Sequence, residues 1–283
     1  MSLVINTNTM ANTISRNLNT HYNALSDSTR KLSSGLRVER AADDAAGLAV
    51  RELMRADIAA LQQGVRNAND AISLIQTADG ALQTIDEKLV RMKELAEQAA
   101  TGTYDSVQRA IIDSEYQQMA SEITRIASAT KFSNVKLLDG SLADANKLKI
   151  HFGPSNSSAE DYYSIEIKSA TADKLGVGIG ATGDGKSIET QDKAGKALDA
   201  ISNAIASKDN IRASLGSLQN RLEATVSNLS IQTENLQSAE SRISDVDVAT
   251  EMTKFVRNQV LASTAVSMLG QANTIPQLAL ELL

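Results

Sequence analysis

Aromatic side chains are scarce in this 283-residue chain: Trp is absent, Phe occurs three times and Tyr five. A rounded core of this size would normally draw on aromatics, so an apolar content that is mostly Ala, Leu, Ile and Val fits long bundles better than a globule. Cysteine is absent too, which excludes disulfides, thiolate chemistry and Cys-ligated zinc. Only Pro154 and Pro276 can interrupt a helix, and Gly is concentrated between Lys131 and Gly195, so most of the chain is free to be helical. His21 and His151 are the only histidines, too few for an H-E-x-x-H zinc helix or a local Ser/His/Asp site. No Lys/Arg cluster offsets the formal charge of −6, which argues against a nucleic-acid partner, since such proteins displace counterions from phosphates with basic patches. Met1 to Asn8 lacks the basic flank and apolar stretch of a signal peptide, so export is expected to use a route without a cleaved signal.

What is present is helical periodicity. Ile14, Leu18, Tyr22, Leu25, Leu32 and Leu36 recur in three- and four-residue steps and define one helix face. After Gly35, the pair Asp43-Asp44 suits the first turn of a second helix, where free N–H groups favour negative charge. That helix carries Leu61, Val65, Ala68, Ile72, Ile75, Ala78, Leu82, Ile85, Leu89, Met92, Ala96 and Ala99, a coiled-coil seam with one shift of phase. Thr101-Gly102-Thr103 breaks it, and a shorter helix from Ser106 folds back. Between Phe132 and Thr190 the period changes to alternation, Leu148-Ile150-Phe152 and Tyr163-Ile165-Ile167, as in paired strands. Helical periodicity returns from Leu198 to Ile243. A last helix is expected to place Val248, Met252, Phe255, Ala262, Val266 and Leu269 on one face and to stop before Pro276.

The expected fold class is therefore mainly α: a long antiparallel helical coiled-coil bundle with a small β-rich insert. The expected division is an inner terminal-helix domain of residues 1–42 and 248–283, an outer helical bundle of 43–130 and 191–247, and a variable insert at 131–190 belonging to the outer domain. Charge separates the layers. Residues 43–130 hold 22 charged side chains, whereas Asn258 to Leu280 and Met1 to Ser15 hold none. Charge-free ends whose flanks are Ser, Thr, Asn, Gln and Ala tolerate packing on all sides, unlike the e and g positions of a solvated coil. A membrane span at 258–280 is excluded by its Gln, Ser, Thr and Asn content and by Pro276. The terminal helices are therefore expected to be buried against other copies of the chain.

One stretch imitates a nucleotide site. Gly180-Ala181-Thr182-Gly183-Asp184-Gly185-Lys186-Ser187 matches G-x-x-x-x-G-K-[ST]. A phosphate-cradling loop needs a buried strand before it and a helix starting at its Lys; here helical periodicity resumes only near Gln191, and a flexible glycine-rich loop between strands accounts for the match.

At the first helix boundary Leu32-Ser33-Ser34-Gly35-Leu36-Arg37 and Ala41-Ala42-Asp43-Asp44-Ala45-Ala46-Gly47 resemble the N-terminal signature of bacterial flagellins. The resemblance continues through Arg91-Met92-Lys93-Glu94-Leu95-Ala96 and Phe132-Ser133-Asn134, then Arg242-Ile243-Ser244-Asp245, Ala249-Thr250-Glu251, Gln271-Ala272-Asn273 and Pro276-Gln277. It implies a non-enzymatic, cofactor-free subunit of the extracellular flagellar filament, used in swimming, in which Ile14, Leu18, Tyr22, Leu25, Leu32, Leu36, Met252, Phe255, Ala262, Val266 and Leu269 pack the filament core. It also implies export through the flagellar type III apparatus and a chaperone at the C-terminal segment. Hook-junction and filament-cap proteins are the further bacterial partners. A host Toll-like receptor is expected to contact Arg91, Leu95 and Glu115. The leucines Leu278, Leu280, Leu282 and Leu283 are similar to the tail read by intracellular sensors, without the terminal basic residue. The nearest rival is a hook–filament junction protein, which shares the terminal helices.

Overall fold

A computed structural model describes residues 7–143, 146–157, 161–179 and 183–281. Among these residues the named helices and strands follow in the order α1 (Thr9–Ser34), α2 (Ala45–Ala100), α3 (Ser106–Ala129), β1 (Lys131–Phe132), β2 (Val135–Lys136), β3 (Leu148–His151), β4 (Tyr162–Ile165), α4 (Gln191–Ser244) and α5 (Val248–Glu281). Long helices with two small antiparallel hairpins are the expected fold class. Two compact units divide it: one through Ile58 together with Glu234 onward, the other Ala59–Thr233.

That division falls inside α2 and α4 rather than at residues 42/43 and 247/248. Within the first unit the two linkers are zipped together. The Arg37 amide donates to the Ser244 carbonyl at 2.6 Å and the Val246 amide to the Gly35 carbonyl at 3.0 Å, while Leu36 bridges Asp245. The Arg37 guanidinium donates to the Ile243 carbonyl, and the buried Arg51 guanidinium reaches back from α2 to the Val38 carbonyl at 2.6 Å. The linkers are thus held to the start of α2 and the end of α4. Capping fixes the helix ends. Gly35, at φ 72°, closes α1 in the left-handed conformation that a β-carbon disfavours. Asp44 precedes α2, its carboxylate accepting from the Gly47 amide, and Asp43 instead accepts from the Glu39 and Arg40 amides of the linker, so neither lies in the first turn as expected. Asp247 caps α5.

In the second unit α2 buries an unbroken heptad: Leu61, Ala68, Ile75, Leu82, Leu89 and Ala96 in one column, and Gly64, Ala71, Ala78, Ile85, Met92 and Ala99 in the other. The expected shift of phase does not exist. It arises from taking Val65 and Ile72 in place of Gly64 and Ala71; Gly64 is buried because the chain leaving β3 lies on it, and a β-carbon there would sit 2.0 Å from the Phe152 carbonyl oxygen. Opposite α2, antiparallel α4 buries Ala194, Ala197, Ile201, Ala204, Lys208, Ile211, Leu215 and Leu222. The pairing is marked by Asp79 with Arg212 at 2.7 Å and Asp86 with Lys208 at 2.6 Å. α3 packs Ile112, Tyr116, Ala120, Ile123 and Ala127 into the same core, which Leu137, Leu138, Ile165 and Ile167 of the insert extend.

The expected strands are β3 and β4, in register from Leu148 opposite Ile165 to His151 opposite Tyr162. β1 and β2 were not expected; two residues each give no periodicity. Their turn, Ser133-Asn134, has φ of 44° and 75°, the conformation of a two-residue hairpin that follows the strand twist.

Candidate assembly surface

α1 and α5 of the first unit form an antiparallel pair: Asn8, just before α1, donates to the Ala272 carbonyl, and Ser28 near its end donates to Glu251 near the start of α5. Each contributes alternating three- and four-residue steps, Ala11, Ile14, Leu18, His21, Leu25, Ser28 and Leu32 against Glu251, Phe255, Asn258, Ala262, Ala265, Leu269 and Ala272, all buried or half-buried. His21 packs within this seam. The buried Ser28–Glu251 bond is 2.6 Å long; it, with Lys254 beside it, holds the Glu251 carboxyl below its ordinary range against the cost of burial.

The expected single faces divide. Ile14, Leu18, Leu25, Leu32, Phe255, Ala262 and Leu269 lie in the seam, and Leu36 is half-buried in the linker zipper. Tyr22, Met252 and Val266 do not: they are 50%, 44% and 49% exposed, because a two-helix seam covers only two positions in seven. Met252 belongs to an outward ridge at four-residue steps, Val248, Met252, Val256 and Val260. Exposed valines and methionines along one charge-poor helix are the signature of a surface made to be covered.

α5 does not stop before Pro276 but continues to Glu281. A proline inside a helix leaves the carbonyl four residues earlier without its amide donor. Here that carbonyl is Ala272, and it accepts the Asn8 side-chain N–H at 2.8 Å. Leu282 and Leu283 lie outside the described residues.

In the second unit the three expected receptor-contact residues are separated by burial. Arg91 donates to Glu115 at 2.9 Å across α2 and α3 and to Glu94 along α2, on a half-exposed surface; Glu94 and then Glu115 raise its pKa. Leu95 is 1% exposed and belongs to the core cluster, one position before Ala96 of the heptad columns. It therefore cannot be part of the contact surface of the single chain.

The glycine-rich stretch does not run into a helix at its Lys, as a phosphate cradle does. Gly180, Ala181 and Thr182 lie outside the described residues; the rest follows β4 rather than lying between strands, and α3 pins it. Tyr116 donates its hydroxyl to the Gly185 carbonyl at 2.7 Å, the Gln117 amide donates to the Lys186 carbonyl, and the buried Asp113 carboxylate accepts the Ile188 amide at 2.6 Å. Burial and the nearby Asp113 charge push the Tyr116 phenol well above its ordinary pKa. Lys186 turns to Asp173 at 3.4 Å, and α4 begins five residues later. Among the described residues no cluster of His, Asp or Glu could hold a metal, and no helix is long and apolar enough to cross a membrane.

Long antiparallel helices with paired ends, a small β insert and an uncovered apolar ridge define a helical subunit built for association. Residues 5–143 match the bacterial flagellin N-terminal helical region and residues 198–283 the bacterial flagellin C-terminal helical region. A flagellin of Halalkalibacterium halodurans is 40% identical over 99% of this chain and 100% of its own. A flagellar filament core protein of Brachyspira hyodysenteriae is 38% identical over 99% and 100%. The crystal structure of Bacillus cereus flagellin, 29% identical, covers 62% of this chain and 94% of its own with a TM-score of 0.47. The chain belongs to the bacterial flagellin family.

Proposed function

We propose that the chain is the structural subunit of a bacterial flagellar filament, extracellular and without catalytic activity, and that its terminal helices are the polymerising element. The observation that carries this is the outward ridge of α5, whose valines and methionines remain exposed after α1 has packed. Burying one such side chain is worth about 1.5–3 kcal/mol, and neighbouring copies with the same charge-poor ends offer a matching surface. The relatives that match almost the whole chain are named as flagellins or filament core proteins, which favours the filament over the hook junction. The test removes residues 1–34. The full chain should sediment as filaments visible by electron microscopy, whereas the shortened chain stays soluble and keeps most of its helical circular dichroism. Filaments from the shortened chain would refute the assignment.

The same reading includes export through a type III apparatus, a chaperone on the C-terminal segment, and hook-junction and cap proteins at the filament ends. It also includes recognition of the free subunit by a Toll-like receptor at the Arg91–Glu115 surface. Leu95 contributes there from beneath, by fixing the packing of α2 on α3. Soluble chain should activate a receptor reporter cell and Arg91→Ala should weaken it, since an interface Arg often anchors binding; equal activation removes the site.

A further inference from the structure

Asn8 carries two hydrogen bonds that belong to different helices. Its side-chain oxygen accepts from the Ala11 amide at 3.0 Å and so caps α1. Its side-chain nitrogen donates to the Ala272 carbonyl at 2.8 Å, and Ala272 is buried. That carbonyl is the one that Pro276, having no amide proton, leaves unserved within α5. A buried carbonyl without a donor is costly, so α5 without Asn8 would do better to end before Pro276.

We propose that Asn8 and Pro276 form an interlock: the last turns of α5 are helical only when the first turn of α1 is in place, because Asn8 supplies the hydrogen bond that Pro276 cannot. The proline is then no defect in the helix. It makes the order of one chain end conditional on the other. An ordinary residue at 276 would serve the Ala272 carbonyl from within α5, and the C-terminal turns would form without the N-terminus. Asn suits position 8 because one planar amide offers both an acceptor for the cap and a donor for the carbonyl. Ser or Asp would cap equally well, yet Asp has no proton to donate and Ser is too short to span both contacts.

The experiment is a double-mutant cycle in the full chain with Asn8→Ser, Pro276→Ala and the pair. It is read by hydrogen exchange of the backbone amides at 277–281, in whichever state, free or polymerised, the parent protects them. Asn8→Ser should speed their exchange about fivefold to tenfold, the loss expected for one net hydrogen bond, and should change it less than twofold when Pro276→Ala is also present. Asn8→Asp, which retains the size of the side chain, should repeat the result. Equal effects of Asn8→Ser with and without Pro276→Ala would overturn the interlock, as would a parent that protects these amides in neither state. Should Asn8→Ser abolish polymerisation, its restoration by Pro276→Ala supports the proposal, and failure to restore it counts against.

Discussion

Lys208 occupies a position in the α4 heptad where an apolar residue would be expected, and it is 2% exposed. Its ammonium meets Asp86 at 2.6 Å and Asp209 at 2.7 Å, and it takes the heptad position between the buried Ala204 and Ile211. Two quantities compete. Truncation by Lys208→Ala removes three buried methylenes at about 0.8 kcal/mol each and a charge-assisted pair. The pair is worth about 1 kcal/mol, because Asp86 and Asp209 keep enough exposure, 34% and 59%, to be rehydrated. The total is about 3 kcal/mol. Lys208→Met keeps the stem and loses only the pair, so it should cost about 1 kcal/mol or less, as replacements of buried charge by apolar groups often do. Urea unfolding of the free chain, followed by circular dichroism at constant slope, measures both. If Met is as damaging as Ala, the charge and not the stem holds α4 on α2, and the heptad reading of position 208 is wrong. The pH dependence gives a second check. Burial disfavours the ammonium, but the bonds from Asp209 and Asp86 outweigh it and raise its pKa above 10.5. A raised folded pKa means a contribution fully present below that value and lost as pH climbs through the raised one. Lys208→Met should therefore flatten the loss of stability above pH 10.5.

Gly64→Ala should destabilise by about 1–3 kcal/mol despite the gain in helix propensity, because the new carbon meets the Phe152 carbonyl at 2.0 Å. Gly80→Ala in the same helix, with open space around it, should stabilise by about 0.5–1 kcal/mol; chemical denaturation separates them, and equal effects would refute the seating of β3 on α2. Ser28→Ala should weaken the α1–α5 pair near neutral pH and make it less sensitive to acid. The depressed Glu251 carboxyl stabilises the fold above its ordinary value of 4.5, and that stability is lost as pH falls through the lowered one; thermal melts at pH 7 and 3 would expose a variant that loses as much as the parent. Lys186→Ala should alter neither filament formation nor melting, its one described ion pair being a long surface contact; micromolar ATP binding by calorimetry, lost in the variant, would reverse the reading of the loop.

The helices were legible because their apolar residues repeat, and the errors lie where a helix position is filled for another reason. Gly64 gives no hydrophobic signal, yet it is a heptad position whose missing side chain is the seat of a hairpin. Lys208 breaks the apolar run between Ile205 and Ile211, yet two carboxylates make it a core residue. In both, the second partner comes from a distant part of the chain. Leu95 is a third such position, since its matching motif says nothing about the core that buries it.

Pro276 marks the limit most sharply. Local chemistry alone says that a helix reaching it should stop. The structure continues the helix by importing a donor from residue 8, at the other end of the sequence. Periodicity reports how a segment can bury itself, whereas an unserved carbonyl is a debt that any nearby group can settle. The charge-poor ends present surfaces for other copies, and α5 leaves Val248, Met252, Val256 and Val260 exposed beside them. Part of what completes each end, however, is the other end of the same chain: the Ala272 carbonyl near the C-terminus takes its hydrogen bond from Asn8 near the N-terminus.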